Sequence, residues 1–269
     1  MGPVLQKGIP LTKVTEETIH VDGCPLHVRR SGEGRTLLYL HGAHGMGSWN
    51  PFFDTLAAHG SLWVPDHPGF GKSQPRGPVD VIADLAYVYL DLIEQAGLSD
   101  VHVIGHCIGG WTALEMAVRQ PGAISGLTLL NSAGVHVDKV PVGDFFMATI
   151  DKQPNLLFAD VERGRGLLDK EIAAVDDVTM HANRIMAARL SWSPRLFDPK
   201  LERWLKRIKV PASVVWGDSN KVFPLAYGEA LARLVPNASL SVVKNAGHHA
   251  HLEQPAATAE TIIKSARLS

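Results

Sequence analysis

The stretch Val101-His102-Val103-Ile104-Gly105-His106-Cys107-Ile108-Gly109-Gly110 decides how this chain is read. A short apolar run of the kind that forms a buried strand meets a glycine-hemmed turn, and a helical pattern begins directly after it. The turn has the form Gly-x-Nuc-x-Gly, in which small residues on either side permit a sharp, strained bend that presents one reactive side chain. Most such elbows carry serine at the apex; this one carries Cys107. A thiol can be ionised by a nearby imidazole, whereas a serine hydroxyl must lose its proton as it attacks. The competing reading is an inert buried thiol, common for free cysteine, and the apex position argues against it.

Outward from the elbow, short apolar runs alternate with longer helical patterns, which predicts a mainly parallel sheet covered by helices. Residues 18–21 and 26–29 flank Asp22-Gly23 and read as an antiparallel hairpin. Further strands are expected over 36–40, 62–65, 101–104, 127–130, 213–216 and 240–243. Helices are expected over 52–59, 81–96, 110–119, 225–234 and 256–266. The stretch 134–210 breaks the alternation: it is helix-like over 145–149, 161–168, 181–190 and 200–208 and contains no convincing strand. An insertion of that length reads as a lid. The expected division is a core of 1–133 and 211–269 with a cap of 134–210.

Composition fits a soluble enzyme: 269 residues, 45% hydrophobic, 20% charged, with a formal net charge of −1. That charge balance gives no reason to expect nucleic acid or an anionic membrane as partner. Cys24 and Cys107 make no disulfide framework and fit a reducing compartment. Met1-Gly2-Pro3-Val4-Leu5-Gln6-Lys7 has no signal-peptide layout, and no apolar run reaches membrane-spanning length. The expectation is a cytoplasmic protein acting on a small-molecule carbonyl substrate, with a homodimer left open. No motif indicates a dinucleotide, a phosphate loop or a metal, so no cofactor is expected.

Three further motifs fall at the carboxyl ends of proposed strands, where open α/β sheets place their ligands. In His41-Gly42-Ala43-His44-Gly45, the Ala43 N–H can pair with that of Ile108 to hold an oxyanion. An ordinary glycine-rich turn is the competing reading. In Asn245-Ala246-Gly247-His248, His248 can act as general base. His249 and His251 rival it on proximity alone. A metal is discounted because no carboxylate or cysteine stands at ligand spacing, and the three histidines are not expected to converge. The third motif, Trp216-Gly217-Asp218-Ser219-Asn220-Lys221-Val222-Phe223-Pro224, follows the penultimate strand and offers the orienting group.

With Asp66-His67-Pro68-Gly69-Phe70-Gly71-Lys72-Ser73, and with Glu253 and Pro255 behind His248, these motifs resemble the α/β-hydrolase superfamily, in its capped esterase and C–C-bond hydrolase branch. The resemblance covers nearly the whole chain, in the order nucleophile, acid, histidine. It implies an α/β-hydrolase fold: a mostly parallel eight-stranded sheet flanked by helices, with a helical cap inserted after the sixth strand. It also implies that Asp66 braces a loop and is no catalytic acid.

Two departures from the family pattern stand out. The nucleophile is Cys107, and the usual acid position, three residues after Gly217, holds Asn220. Asp218 is the nearest carboxylate, and Asn131 occupies the alternative acid position. A cysteine beside a histidine at a helix start can form a thiolate–imidazolium pair below its free pKa of about 8.5. A neutral amide can orient such an imidazole. Cys107, His248 and Asn220 are therefore expected as nucleophile, base and orienter, with Asp218 as the alternative orienter. His44, Phe145, Phe146 and Trp192 are candidates to face the substrate, against the competing role of helix packing.

The expected activity is hydrolysis of an ester, thioester, lactone or related carbonyl compound through an acyl-thioester intermediate. The alternatives are an acyltransferase using the same cysteine, and a non-hydrolytic lyase, isomerase or ligand-binding protein built on a decayed site.

Overall fold

Asp22 and Gly23 both have positive φ, 43° and 73°, which any two-residue type I′ turn demands. They join β1 (Thr15–Val21) to β2 (Cys24–Ser31) as the expected antiparallel hairpin, with Val21 opposite Cys24. The computed structural model describes residues 13–74 and 77–268. The reading of Met1 to Lys7 therefore lies outside the described residues.

The sheet continues with β3 (Thr36–Leu40), β4 (Ser61–Pro65), β5 (His102–His106), β6 (Gly126–Leu130), β7 (Ala212–Gly217) and β8 (Ala238–Val243). The eight strands run in the order β1-β2-β4-β3-β5-β6-β7-β8, antiparallel at β1, β2 and β4 and parallel from β4 onward. Strands β3, β5, β6 and β7 are buried throughout, as continuous apolar runs are when helices cover both faces.

On one face lie α2 (Ile82–Gln95), α3 (Ile108–Arg119) and α7 (Leu225–Leu234); on the other lie α1 (Pro51–Ala57) and α8 (Pro255–Ala266). The carboxyl end of β5 thus opens at the middle of the sheet, and α3 springs from it. Cys24 and Cys107 are both buried and free of any disulfide. Among the described residues no helix is long and apolar enough to cross a membrane.

Between β6 and β7 the chain forms α4 (Gln153–Leu157), α5 (Val161–Ala173) and α6 (Asp177–Ser191). Asp160 and Asp176 cap the last two by accepting the N–H groups of Arg163 and Thr179. A bridge between Gly134 and Phe197, with the Gly134 N–H donating to Leu196 O, closes the insertion at its base.

Two expectations for this region are corrected. Residues 145–149 form a turn in which Asp144 Oδ1 accepts the Met147 N–H, because that side chain competes with continuing helical hydrogen bonds. The stretch expected as a helix over 200–208 is a 3-10 helix, Glu202–Arg207, packed on α3 with the Arg207 guanidinium on Val118 O. It therefore packs against the sheet-covering layer rather than on α5 and α6.

Asp66 braces a loop as the resemblance implied. Its carboxylate meets His27 Nδ1 at 3.2 Å and Arg29 at 3.3 Å, and accepts the Lys72 N–H.

Candidate active site

Cys107 sits between β5 and α3 with φ 53° and ψ −118°, a backbone conformation that costs a non-glycine residue roughly 1–3 kcal/mol. The strain persists because its surroundings fix it. The Cys107 N–H donates to Leu130 O, and Cys107 O accepts from Ala133 and Gly110. A Cβ at Gly105 would lie 2.5 Å from Gly110 Cα, and one at Gly109 would lie 2.1 Å from Leu40 O. Only glycine at both positions lets strand, turn and helix approach this closely.

The backbone N–H groups of Ala43 and Ile108 both favour the charged form of the Cys107 thiol. The Ala43 donor is held by a tight turn in which the Gly45 N–H bonds Gly42 O at 3.1 Å. These are the two groups expected to form an oxyanion hole, and both act on the Cys107 thiol. Cys107 is only 1% exposed, and burial pushes its thiol up to about 12, outweighing those two donors.

His248 is positioned through its backbone. Its carbonyl accepts from Asn131 Nδ2 at 2.9 Å and from His106 Nε2 at 3.0 Å. The preceding Gly247 N–H donates to Glu253 Oε2 at 2.7 Å. Burial, and then the neighbouring imidazoles of His106, His44 and His251, hold the His248 ring well below its ordinary pKa. The burial that shapes the elbow thus works against both charges of the thiolate–imidazolium pair expected from the sequence.

Neither expected orienter reaches the imidazole. Asn220 is buried, but its Oδ1 accepts the N–H groups of Val222 at 3.1 Å and Phe223 at 3.0 Å. Those two donors fix which end of the amide is oxygen, leaving Nδ2 aimed elsewhere. Both Asn220 Nδ2 and His248 Nδ1 are buried without a hydrogen-bond partner. Asp218 faces away: its carboxylate accepts from Ser219 Oγ at 3.0 Å and lies 3.9 Å from the exposed Lys244 Nζ. It is a turn residue. Asn131, at the alternative acid position, ties β6 to β7 and to the His248 loop by accepting from the Gly217 N–H and donating to Gly247 and His248 carbonyls.

The histidines after Gly247 do converge, against expectation. His106 lies 4.9 Å from His248, 5.5 Å from His249 and 4.7 Å from His251 between ring centroids, and His44 lies 5.0 Å from His249. The alternating turn of 247–250 sends these rings to one side, where the elbow histidine meets them. His106, His248, His249 and His251 are buried and His44 is half-buried, and desolvation is the first cause that lowers each ring below the ordinary imidazole range. Among the described residues no group of three or more side chains has an arrangement that could hold a metal ion.

Beneath the cap lies a pocket of about 90 Å³, lined by apolar side chains such as Met46, Phe145, Phe146, Leu168 and Ile172, with Gln153, Glu171, Asn183 and Arg184 among its polar members. His44, Phe145 and Phe146 face it as expected. Trp192 does not: it is 43% exposed, edge-on to Phe146 and beneath the Arg195 guanidinium. Ala43 and His44 line the pocket, whereas Cys107 and His248 do not. Chemistry and cavity are therefore adjacent but separate in this closed state.

The closure has identifiable ties between cap and core. His44 Nε2 meets Gln153 Oε1 at 3.2 Å, and Asn183 bridges the His44 carbonyl and the Gly71 N–H. Glu171 accepts from the Ser48 N–H and hydroxyl at 2.7 and 2.6 Å. Glu253 accepts from Ala159 and Asp160 as well as Gly247.

Sequence reasoning missed His106, Gln153, Glu171 and Asn183 altogether, and saw Glu253 and Asn131 without their roles. A histidine inside the elbow itself was a usable signal for His106. The cap residues carry no local signal, since their partners lie about a hundred positions away in the chain.

A family model described as alpha/beta hydrolase fold matches residues 35–255. The dihydrolipoyllysine-residue acetyltransferase component of the acetoin cleaving system from Cupriavidus necator is 29% identical over 248 residues, covering 87% of this chain and 64% of that longer protein. The 2-hydroxy-6-oxononadienedioate/2-hydroxy-6-oxononatrienedioate hydrolase 2 of Pseudomonas putida is 28% identical over 248 residues, covering 85% of this chain and 86% of its own. Among solved structures, the meta-cleavage product hydrolase of Pseudomonas fluorescens IP01 superposes with a TM-score of 0.79 at 19% identity, covering 92% of this chain and 96% of that one. At that identity the likeness is one of fold.

Proposed function

Because the chain belongs to the alpha/beta hydrolase fold family, we propose that it hydrolyses a small carbonyl compound with Cys107 as the acyl-accepting nucleophile. The observation that carries this reading is the strained elbow that presents Cys107 at the start of α3, where the Ala43 and Ile108 N–H groups favour the charged form of its thiol. Donors fixed beside a nucleophile are placed to hold the oxygen of the carbonyl it attacks, and each such donor is worth about 3–4 kcal/mol in the transition state. A structural cysteine has no use for that arrangement.

In this reading the carbonyl carbon lies against Sγ and its oxygen between the two N–H groups. The S–C bond forms as the thiol proton passes to His248 Nε2, and His248 returns that proton to the leaving group as the scissile bond breaks. Water then attacks the thioester, giving its proton through His248 to the Cys107 sulfur, and the carboxylic acid departs. The pocket's aromatic and aliphatic walls favour an apolar acyl or leaving group. The relative from Pseudomonas putida, named for a 6-oxo dienoate, supports a C–C bond beside a ketone as one scissile bond, next to esters, thioesters and lactones.

The test is turnover of a panel holding a p-nitrophenyl ester, an aryl thioester, a lactone and 2-hydroxy-6-oxo-6-phenylhexa-2,4-dienoate. Hydrolysis of at least one above the buffer rate is expected. A folded protein that turns over none of the four overturns the reading.

A further inference from the structure

Ala43, one of the two expected oxyanion donors, sits on a short loop that is held from both sides. On the core side, a Cβ at Gly42 would lie 2.8 Å from His106 Nδ1 and 3.1 Å from Cys107 Cβ, so the loop presses on the elbow itself. Arg29 donates to Gly47 O at 2.9 Å while its other arm reaches Asp66. On the cap side, α4, α5 and α6 each send a polar side chain to the run 44–48. Gln153 of α4 bonds the His44 ring, and Asn183 of α6 donates to the His44 carbonyl. Glu171 of α5 accepts both the N–H and the hydroxyl of Ser48. The approach is close enough to require glycine twice. A Cβ on Gly45 would lie 2.6 Å from Asn183 Nδ2, and one on Gly47 would overlap Glu171 Oε2.

A loop this short transmits position. Its turn is closed by the Gly45 N–H on Gly42 O, so a shift at Gly45 carries Ala43 with it. Gln153, Glu171 and Asn183 also line the pocket whose wall includes Ala43 and His44. The same helices therefore enclose whatever fills the pocket and hold the loop that bears the donor. A group that fills the pocket makes its contacts only with the cap closed, and so shifts the population toward that state.

We propose that Glu171 and Asn183 are positioning residues through which cap closure over a pocket-filling acyl group sets the Ala43 N–H for catalysis. This rests on the reading of Cys107 as nucleophile with Ala43 as an oxyanion donor. Contacts made by the acyl group in the pocket then appear in kcat, because they order a donor that acts in the transition state. A truncated acyl group leaves the cap ties free to open and loses rate rather than only affinity. The substrate class selected is one whose acyl part is an apolar chain or ring long enough to reach beneath the cap.

The test takes an acyl donor from the panel as a matched pair, acetyl and butanoyl, and measures kcat and KM in the wild type, Glu171→Ala, Glu171→Gln and Asn183→Ala. The wild-type kcat is expected to be at least about tenfold higher for butanoyl, as two buried methylene groups provide. Both alanine variants are expected to lower the butanoyl kcat by about tenfold to a hundredfold with KM changed less than about threefold, and to narrow the chain-length ratio. Glu171→Gln keeps an oxygen for the Ser48 N–H and is expected to recover most of the rate, which a merely space-filling role would not predict. A rise in KM with kcat unchanged makes these residues plain pocket walls and overturns the inference, as does a wild-type kcat indifferent to chain length. Asn183→Ala leaves the Ser48 tie intact and decides the matter alone if Glu171→Ala does not fold. If acyl-Cys107 forms at the wild-type rate in the variants, this inference alone fails. If no acyl-Cys107 forms in the wild type, the reading beneath it fails.

Discussion

Cys107→Ala is expected to lower turnover of whichever carbonyl substrate the protein accepts by at least about 10³-fold, with fold and substrate binding retained. Alanine keeps the backbone Cβ and is no more strained at φ 53° than cysteine. The anchoring bonds from Leu130, Ala133 and Gly110 are all main-chain and survive the change. What is lost is the thiol whose charged form the Ala43 and Ile108 N–H groups favour. Residual activity from the oxyanion donors alone accounts for the finite floor. Cys107→Ser is expected to fall nearly as far, because a hydroxyl proton demands a base that His248 without an Nδ1 acceptor does not provide. The measurement is kcat/KM alongside near-ultraviolet circular dichroism. Cys107→Ala that keeps more than about a tenth of wild-type kcat/KM contradicts the account and points to lyase chemistry, in which the cysteine only shapes the pocket.

Acid is expected to unfold the protein cooperatively between about pH 6 and pH 5. Burial holds His41 and His102 down at about 3 and His44 and His106 at about 4, and holds His67, His248, His249 and His251 well below the ordinary range. In the unfolded chain each titrates near about 6.5. Their folded pKa values are depressed, so the unfolded state binds more protons between about 6.5 and 4, and stability present above that window is lost as pH falls through it. Each histidine contributes about 1.4 kcal/mol per pH unit, against a total stability of about 5–15 kcal/mol for a typical domain. A group this large therefore exhausts the margin within one to two pH units. His27 works in the opposite sense, since its bond to Asp66 raises its pKa, but it is one ring against many. Tryptophan fluorescence and near-ultraviolet circular dichroism across a pH series provide the measurement. Native spectra retained at about pH 4.5 contradict the neutral state assigned to these rings.

The parts of this molecule that follow local rules were legible in the sequence. Asp22-Gly23 announced its hairpin because only φ-positive residues make that turn. The Gly105 and Gly109 positions announced the elbow because no Cβ fits there. Runs such as 36–40 and 213–216 were recognisable because strands buried on both faces have no polar alternation. The site was legible as a set of positions and less so as a set of states. Cys107 falls at the turn between β5 and α3 where the motif put it. The charge on the thiol depends on burial, which no spacing encodes.

Asn220 shows the limit most sharply. Its distance from Gly217 marks it as the orienter, yet two turn amides claim its oxygen, a three-dimensional fact about Val222 and Phe223. The convergence of His249 and His251 was likewise invisible, because it depends on which way a short turn points each ring. Between β6 and β7, Asp144 ended the expected helix over 145–149 by bonding Met147, and Arg207 drew the 3-10 helix Glu202–Arg207 onto α3. Side-chain competition of that kind overrides helical periodicity.

The most direct test mixes the protein with a donor ester, quenches the reaction in acid within the first turnover, and maps the acylated peptide by mass spectrometry. One acyl group per chain, carried on the peptide that contains Cys107 and absent after Cys107→Ala, is the predicted result. Steady product formation with Cys107 unmodified at every time point, or the acyl group on another residue, contradicts it.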